Sequence, residues 1–232
     1  MIQFEVSGRV AVIRLDRPEA RNAINSDLTR AIEDSIDRLE RDDDLWVGIL
    51  SHTGPVFCAG ADLKEIAAGR GAALATERGS FAGIVMRERT KPLIAAVNGP
   101  AVAGGAEIVL ACDLCVASTA ARFGLPEVKR SLVASAGALF RLPRVLPRPI
   151  AMEMVLTGDT IDVSTAHHHG LVNAICEPGL HEEVARTLAD RIVANAPSAV
   201  RETRRLLLDS YDQTDGEAMV AAADAQRRLA ST

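Results

Sequence analysis

The sequence is poor in aromatic residues and in cysteine. Only 3% of its 232 residues are Phe, Trp or Tyr, so Ala, Val, Leu and Ile must form most of the core. The four cysteines, Cys58, Cys112, Cys115 and Cys176, are too few for a disulfide framework and lie among apolar neighbours. We therefore expect reduced thiols that serve as small apolar side chains, without a zinc or redox role for the C-x-x-C spacing of Cys112 and Cys115.

Long apolar runs and an excess of basic residues are missing too. No run reaches the roughly 18 residues that a membrane-spanning helix needs, and residues 1–15 lack the basic and then apolar stretches typical of a signal peptide. A formal net charge of −5 argues against nucleic acid as the main partner. These absences predict a cytoplasmic globular protein without a membrane or nucleic-acid partner, long enough for one large core.

The N-terminal third has the pattern of a strand, a helix and a second strand. The two strands are predicted at residues 9–15 and 46–51, which are rich in β-branched residues. Between them, residues 26–41 place four apolar side chains on one helical face, namely Leu28, Ile32, Ile36 and Leu39. This order is typical of an α/β fold.

Further along the chain the strands give way to helices. A glycine-rich turn predicts a helix from about Ala61, residues 70–80 have no firm periodicity and are expected to be mobile, and residues 91–99 and 113–118 read as buried strands. From residue 151 onward, amphipathic helices are separated by Gly and Pro. We predict an α/β core over residues 1–148 that contains the functional site, and a helical C-terminal region over residues 149–232 that takes part in oligomer contacts.

One carboxylate interrupts an otherwise apolar helix. In NGPAVAGGAEIVLACDL, residues 98–114, Glu107 follows two glycines and is surrounded by Ala, Ile, Val and Leu. Burial disfavours the charged form of an acid and raises its pKa, which suits proton transfer near neutral pH. A buried glutamate paired with an arginine explains the pattern equally well, so this helix alone leaves both interpretations open.

Two glycine-containing turns, FCAGADL and VAGGAEI, each precede a predicted helix. Free backbone N–H groups at such turns can point at an anionic oxygen, and small residues let a ligand approach closely. Two donors that face one point would form an oxyanion hole. Each turn by itself could also be a tight connection or a phosphate site, but neither matches G-x-G-x-x-G or a P-loop, and G-x-S-x-G is absent.

Five blocks in order resemble the crotonase (enoyl-CoA hydratase/isomerase) superfamily over nearly the whole chain. They are RPEARNAIN, FCAGADLKEI, KPLIAAVNGPAVAGGAEIVLACDLCVAS, ARFGLPEVKRSLVASAGALFRLPR and LTGDTIDVSTAHHHGLVNAI. The resemblance implies a spiral of β-β-α turns with a helical C-terminal region. It also implies an acyl-CoA thioester as the ligand and assembly as a homotrimer or a dimer of trimers.

The resemblance also implies roles for particular residues. The family's oxyanion hole falls on the backbone N–H groups of Ala61 and Gly104, and its two hydratase carboxylates fall on Glu107 and Glu127. Two acids at these positions imply hydration of a trans-2-enoyl-CoA to a 3-hydroxyacyl-CoA. Which glutamate acts as acid and which as base stays open, because the two share one water and titrate together.

Coenzyme A contacts are implied at two short stretches. In RPEARNA, Arg21 is expected to bind phosphate and Ala23 to pack near the pantetheine. In AGADLKE, the adenine is expected to meet the backbone atoms of four residues, Ala59, Ala61, Asp62 and Leu63, and Lys64 is expected to contact a phosphate. For Arg21 and Lys64, a solvated surface charge is an equally good interpretation. Coenzyme A is part of the substrate, so we expect no resident cofactor and no metal.

Some features depart from the family pattern or leave rivals open. Ser131 and Ala138 stand where several hydratases carry glycine, close to Glu127, and could narrow the acyl site. Double-bond isomerisation, which needs a single base, is one alternative function, and an acyl-CoA-binding protein with little turnover is another. The histidines at 167–169 precede Gly170 and are interpreted as a helix end rather than a metal site.

Overall fold

A computed structural model describes residues 1–230, and its centre is a six-stranded sheet. The strand order is β1-β2-β3-β6-β8-β11, with β1 antiparallel to β2 and all other neighbours parallel. The strands are β1 Ile2–Ser7, β2 Val10–Leu15, β3 Val47–His52, β6 Leu93–Val97, β8 Leu114–Ser118 and β11 Ala174–Cys176. β3 and β6 are buried along their whole length, as a sheet covered on both faces requires.

Helices cover both faces of this sheet. On one face, α1 (Ser26–Arg41) buries its predicted apolar stripe completely, and the side chain of Asn25 caps its start by accepting from the N–H of Leu28 at 2.8 Å. On the other face, α7 (His181–Val193) packs Ala185 and Ala189 against β3, β6 and β8. The predicted order of strand, helix and strand in the N-terminal third is confirmed.

Two smaller sheets lie at the edge of the core. A three-stranded sheet has the order β10-β9-β7, and a short hairpin joins β4 to β5. Their bounds are β4 Ala75–Thr76, β5 Ser80–Phe81, β7 Ala101–Val102, β9 Arg122–Gly124 and β10 Thr160–Asp162. The hairpin covers most of the second half of residues 70–80, where the sequence predicts no element, and ends at Phe81. Leu74 is buried and Arg78 is paired with Asp37 on α1, and such long-range contacts leave no periodic signal.

The other helices complete the chain. They are α2 Leu63–Ala67, α3 Gly104–Ala111, α4 Ala138–Val145, α5 Arg148–Thr157, α6 Val163–His168, α8 Pro197–Asp209 and α9 Asp215–Ala230, with 3-10 turns at Pro18–Ala20, Gly71–Leu74, Pro126–Arg130 and Ser210–Asp212. The predicted start of α2 near Ala61 is wrong by two residues. Asp62 is the N-cap, because its side chain accepts the N–H of Lys64 at 2.9 Å.

The C-terminal region is joined closely to the rest of the core. β11 extends the main sheet beside β8, β10 pairs with β9, and α7 covers one face of the sheet. α8 and α9 lie mainly against each other. The division at residue 148 stays a prediction. Across residues 1–230, no helix combines the length and the apolar character required to cross a bilayer.

Candidate active site

Glu107 is buried at the start of α3, with only 3% of its surface exposed. Its Oε1 atom accepts two backbone hydrogen bonds, from Ala136 at 2.7 Å and from Ala138 at 3.1 Å. Both donors belong to the turn that begins α4, so the free N–H groups of one helix end hold the acid that projects from another. No hydrogen bond from residues 1–230 reaches Oε2, which leaves that oxygen available for chemistry.

The surroundings of Glu107 favour its protonated form. Burial raises the pKa of the carboxyl above its ordinary value, against the opposing effect of the two N–H donors and of the nearby Arg141 guanidinium. Arg141 does not form an ion pair with Glu107 in the structure. The structure therefore does not support the alternative interpretation, in which Glu107 forms a structural ion pair with an arginine.

The second carboxylate, Glu127, lies on the 3-10 turn Pro126–Arg130 and is half-buried. Its Oε2 atom is buried without a hydrogen-bond partner among residues 1–230. Burial raises the pKa of Glu127, and the nearby negative charge of Glu107 raises it further. The fold thus brings together two acids that are twenty positions apart in the sequence, and both are biased toward protonation.

The two glycine-containing turns meet next to this pair. A Cβ atom on Gly60 would lie 2.8 Å from Cβ of Ala103 and 3.0 Å from the backbone nitrogen of Gly104, so the turns are in direct contact. Ala103 has the strained backbone angles φ 52° and ψ −131°. Within residues 1–230 the N–H groups of Ala61 and Gly104 donate no hydrogen bond, so two free donors stand on adjoining segments.

The residues expected to contact coenzyme A also come together. The carbonyl of Arg21 accepts the N–H of Ala59 at 3.1 Å, and Ile24 is bridged to Ala61 in parallel fashion. Arg21 is exposed, and Ala23 and Ala59 are half-buried. Two chain segments with these residues on them therefore run side by side and lead to the free N–H of Ala61.

The side chain of Asp62 is committed to the structure. It caps α2 and accepts a hydrogen bond from Arg17 at 2.7 Å, while Arg17 also donates to the carbonyl of Ala23 at 2.8 Å. Burial alone would raise the pKa of Asp62, but the hydrogen bond from Arg17 and the backbone donors outweigh it and lower the pKa. The backbone of Asp62 is also bonded, since its N–H donates to the carbonyl of Ile24 at 2.8 Å and its carbonyl accepts the N–H of Glu65 at 3.0 Å. Leu63 and Lys64 are exposed at the start of α2.

Arg141 on α4 is a site residue that sequence reasoning missed. Its Nη2 atom donates to the carbonyl of Val85 at 2.5 Å, and its Nη1 atom is buried without a partner among residues 1–230, next to Gly137. Burial and the cations of Arg89 and Arg144 lower the pKa of the guanidinium, while Glu107 raises it. A lone arginine in LFRLPR carries no signal of this proximity, because the pairing with Val85 spans 56 residues.

The thiols and the triple histidine have structural surroundings. Burial raises the pKa of Cys58 and Cys112 to about 12, which keeps both thiols protonated and unreactive. His167 Nδ1 lies 2.8 Å from the carbonyl of Val172, and Gly170, just past α6, has φ 94°. This arrangement agrees with a helix end. No group of three metal-ligating side chains is found within the described part of the chain.

Residues 5–232 match the model of the enoyl-CoA hydratase/isomerase family. The chain belongs to that family. The predicted crotonase-like fold is confirmed by solved structures: the chain superposes over its full length on 90% of the enoyl-CoA hydratase EchA1 of Mycobacterium marinum, with a TM-score of 0.95 and 42% identity.

Relatives at similar identity carry names with different acyl groups. The (E)-benzylidenesuccinyl-CoA hydratase of Thauera aromatica is 39% identical over 88% of this chain and 80% of its own length. The mevalonyl-coenzyme A hydratase of Beauveria bassiana is 42% identical over 89% of this chain and 78% of its own length. Both names describe a hydratase of a CoA thioester, and the acyl group differs between them.

Proposed function

We propose that this enzyme of the enoyl-CoA hydratase/isomerase family adds water across the C2–C3 double bond of a trans-2-enoyl-CoA and forms a 3-hydroxyacyl-CoA. The observation that supports hydration best is the pair Glu107 and Glu127. The buried Glu107 and the half-buried Glu127 lie close enough for the charge of Glu107 to raise the pKa of Glu127. Movement of a double bond needs one base, whereas addition of water uses a base and an acid.

The free N–H groups of Ala61 and Gly104 support binding of the thioester carbonyl. Negative charge develops on that oxygen when a nucleophile attacks C3, because the electrons of the double bond move toward the carbonyl. Two preorganised donors stabilise this charge more than they stabilise the ground-state carbonyl. Gly104 is also the first residue of α3, so the positive end of the helix dipole favours the same oxygen.

We propose that the glutamate pair carries out the two proton transfers of hydration. Oε2 of Glu107 and Oε2 of Glu127 are the oxygens without a donor among residues 1–230, so both can contact the water. One ionised carboxylate removes a proton as the oxygen of water bonds to C3, and one carboxylic acid gives a proton to C2. The two groups titrate as a pair, and we assign neither role to a single residue.

The segments around Arg21 and Ala59 support a binding site for the coenzyme. We propose that Ala23, Asp62 and Leu63 contact it through backbone or apolar atoms, and that the exposed side chains of Arg21 and Lys64 contact phosphate. The proposed reaction uses carboxylates and backbone donors alone, so it calls for no resident cofactor.

Self-association and cytoplasmic location are also part of this proposal. Large apolar side chains are exposed on α8, on α9 and on the turn between them, namely Leu207, Leu208, Tyr211, Met219 and Val220. A surface of this kind is typical of a contact between protein chains. We propose that it contributes to a homotrimer or a dimer of trimers.

The direct test is the loss of enoyl-thioester absorbance when the purified protein is added to crotonyl-CoA. Glu107→Gln and Glu127→Gln are measured beside the unchanged protein, since glutamine keeps the size and the oxygen acceptor but cannot exchange the proton. We expect each variant to lower kcat by about a hundredfold or more. Binding of a saturated acyl-CoA, measured by calorimetry, is expected to stay within a few-fold.

The outcomes separate the rival functions. A loss of absorbance that depends on both glutamates supports hydration. If crotonyl-CoA is unchanged while a trans-3-enoyl-CoA is converted to its trans-2 isomer, the enzyme is an isomerase. Saturable binding with no turnover of either substrate identifies an acyl-CoA-binding protein and contradicts the proposal.

A further inference from the structure

The ring of Phe81 packs directly on Gly104. A Cβ atom on Gly104 would lie 2.6 Å from Cζ of Phe81, which means that the ring fills the space where any side chain at position 104 would begin. Gly104 carries one of the two free N–H groups of the site. The ring of Phe81 therefore lies beside the proposed position of the thioester carbonyl.

The backbone on both sides of Phe81 is strained. Phe81 lies between Ser80 with φ 55° and Ala82 with φ 57°, two positive values that residues other than glycine rarely adopt. The N–H of Ala82 donates to the carbonyl of Leu74 at 2.9 Å, and Leu74 is buried. Strain on both sides of one residue indicates that the surrounding contacts fix its orientation.

Contacts with α1 anchor the hairpin that carries Phe81. Thr76 Oγ1 donates to Glu33 at 2.7 Å, and Arg78 donates to Asp37 at 2.9 Å. Gly83 is pressed against the same helix, since a Cβ atom there would lie 2.8 Å from the carbonyl oxygen of Thr29. The hairpin is thus attached to the main core and does not depend on a ligand for its position.

The direction of the chain places Phe81 on the acyl side of the site. From Phe81 the chain continues to Val85, whose carbonyl accepts from Arg141 beside the turn that holds Glu107. The segment therefore runs from the free N–H of Gly104 toward the turn that holds Glu107, where the proposed function puts the reacting carbons. The residues proposed to contact coenzyme A approach from the other turn, at Ala59 to Ala61.

We propose that Phe81 is a specificity-determining residue that excludes acyl groups with a branch at C2. The inference rests on the proposed function, because it needs the thioester carbonyl at the N–H of Gly104. C2 is bonded to the carbonyl carbon, so a methyl group on C2 would compete with the Phe81 ring for space. An enoyl-CoA without a substituent at C2 leaves the ring undisturbed.

The test compares crotonyl-CoA with trans-2-methylbut-2-enoyl-CoA in the protein as it stands and in Phe81→Ala and Phe81→Leu. The branched substrate is less reactive in itself, so the measured quantity is the change in the ratio of the two kcat/KM values between proteins. We expect Phe81→Ala to raise the ratio in favour of the branched substrate by about tenfold or more, the size of effect that one methyl group has in a fitted pocket. Phe81→Leu keeps an apolar contact with the core and is expected to give a smaller rise.

Phe4→Ala is the matched control. Phe4 is also half-buried and packed on the main core, but it lies on β1 under the guanidinium of Arg38, away from Gly104. We expect its ratio to stay within twofold of that of the unchanged protein. A ratio that does not change in folded Phe81→Ala and Phe81→Leu, or that rises equally in Phe4→Ala, overturns the inference.

A binding measurement separates this inference from the proposed function. The affinities of butanoyl-CoA and 2-methylbutanoyl-CoA are determined by calorimetry for the same proteins. If crotonyl-CoA is not hydrated but the preference for butanoyl-CoA weakens in Phe81→Ala, the hydratase proposal fails and the role of Phe81 stands. If neither thioester binds, both are overturned.

Discussion

Oε1 of Glu107 lies 2.7 Å from the backbone nitrogen of Ala136, so the turn that precedes α4 holds the acid at the start of α3. The contact fixes the carboxyl group without a cation paired to it. Burial still raises the pKa of Glu107, which means that the folded protein is destabilised when this group ionises.

Glu107→Gln is therefore expected to raise thermal stability at pH 8. Glutamine keeps an oxygen that accepts from Ala136 and carries no charge into the core. A carboxyl whose pKa is higher in the folded state contributes most below its unfolded pKa of about 4.3, and this contribution is lost as the pH rises through the folded value. The gain in Tm of the variant should thus shrink as the pH is lowered toward 4.

Thermal unfolding of both proteins between pH 4 and pH 8 measures this effect. Glu88→Gln removes a charge from an exposed side chain and serves as the control, with a small change in Tm that is expected to be the same at pH 6 and pH 8. A Tm for Glu107→Gln that stays below that of the unchanged protein at pH 8 would contradict the expectation.

Arg141 is expected to set the pH dependence of turnover. Burial raises the pKa of Glu107, whereas the N–H donors of Ala138 and Ala136 and the positive charge of Arg141 lower it. The neighbouring acid is Glu127, and the charge of Glu107 raises the pKa of Glu127. Removal of the cation in Arg141→Gln leaves the pKa of Glu107 higher still. If turnover requires an ionised carboxylate, the acidic limb of the kcat profile moves to higher pH.

Arg144→Gln is the matched control for Arg141. Arg144 is on the same helix but points away, over the rings of Phe140 and Tyr211 and toward Asp212. The acidic limb should stay in place in this variant, and Arg141→Lys, which keeps the charge, should restore part of the shift. Equal profiles for Arg141→Gln and Arg144→Gln would show that Arg141 acts only through packing.

Local patterns predicted much of the fold, and the resemblance predicted where the site residues come together. The apolar stripe of α1 follows from a periodicity of 3.6, and the buried strands beside it follow from short runs rich in β-branched residues, which are local properties. Glu107 could be singled out because a charge in an apolar helix is conspicuous in the sequence. Ala136 and Phe81 could not, because a backbone donor and a contact across the core leave no pattern in the sequence. Ala138 stands out only as a departure from glycine, and its N–H bond to Glu107 is visible in the structure alone.

Ser131 shows a further limit of sequence reasoning. The resemblance places glycine at this position in several hydratases, and a side chain here could narrow the acyl site. In the structure Ser131 is an exposed residue with φ 56° at the end of the turn that carries Glu127. The left-handed conformation explains why glycine suits this position, and the pattern of the sequence alone does not reveal a backbone angle.

Ser131→Gly is expected to stabilise the protein by about 0.5 to 1 kcal/mol. Glycine avoids the cost of about 1 to 2 kcal/mol that a side chain meets in the left-handed region, and it loses part of this gain through its greater freedom in the unfolded chain. The rise in Tm should be about 1 to 4 °C for a chain of this size. Ser210→Gly, at an ordinary φ of −62°, is the control and should lower Tm; a fall for Ser131→Gly would refute the argument.

Gly105 lies between the free N–H of Gly104 and the strand-like segment at Cys58. A Cβ atom on Gly105 would lie 2.8 Å from the carbonyl carbon of Cys58, which is backbone that cannot rotate away. The same carbonyl accepts the N–H of Val102 at 3.1 Å. Gly105→Ala is therefore expected to cost about 1 to 3 kcal/mol of stability and to displace the donor at Gly104.

Gly216→Ala is its control, since within residues 1–230 nothing lies within 4 Å of the added methyl group and alanine favours helix α9. Chemical denaturation and crotonyl-CoA turnover of both variants test the argument. The Gly216 variant should keep its stability and activity. The Gly105 variant should lose stability and should lose kcat/KM even where it remains folded, because a shift of about 1 Å in an oxyanion donor is enough to weaken binding of the transition state.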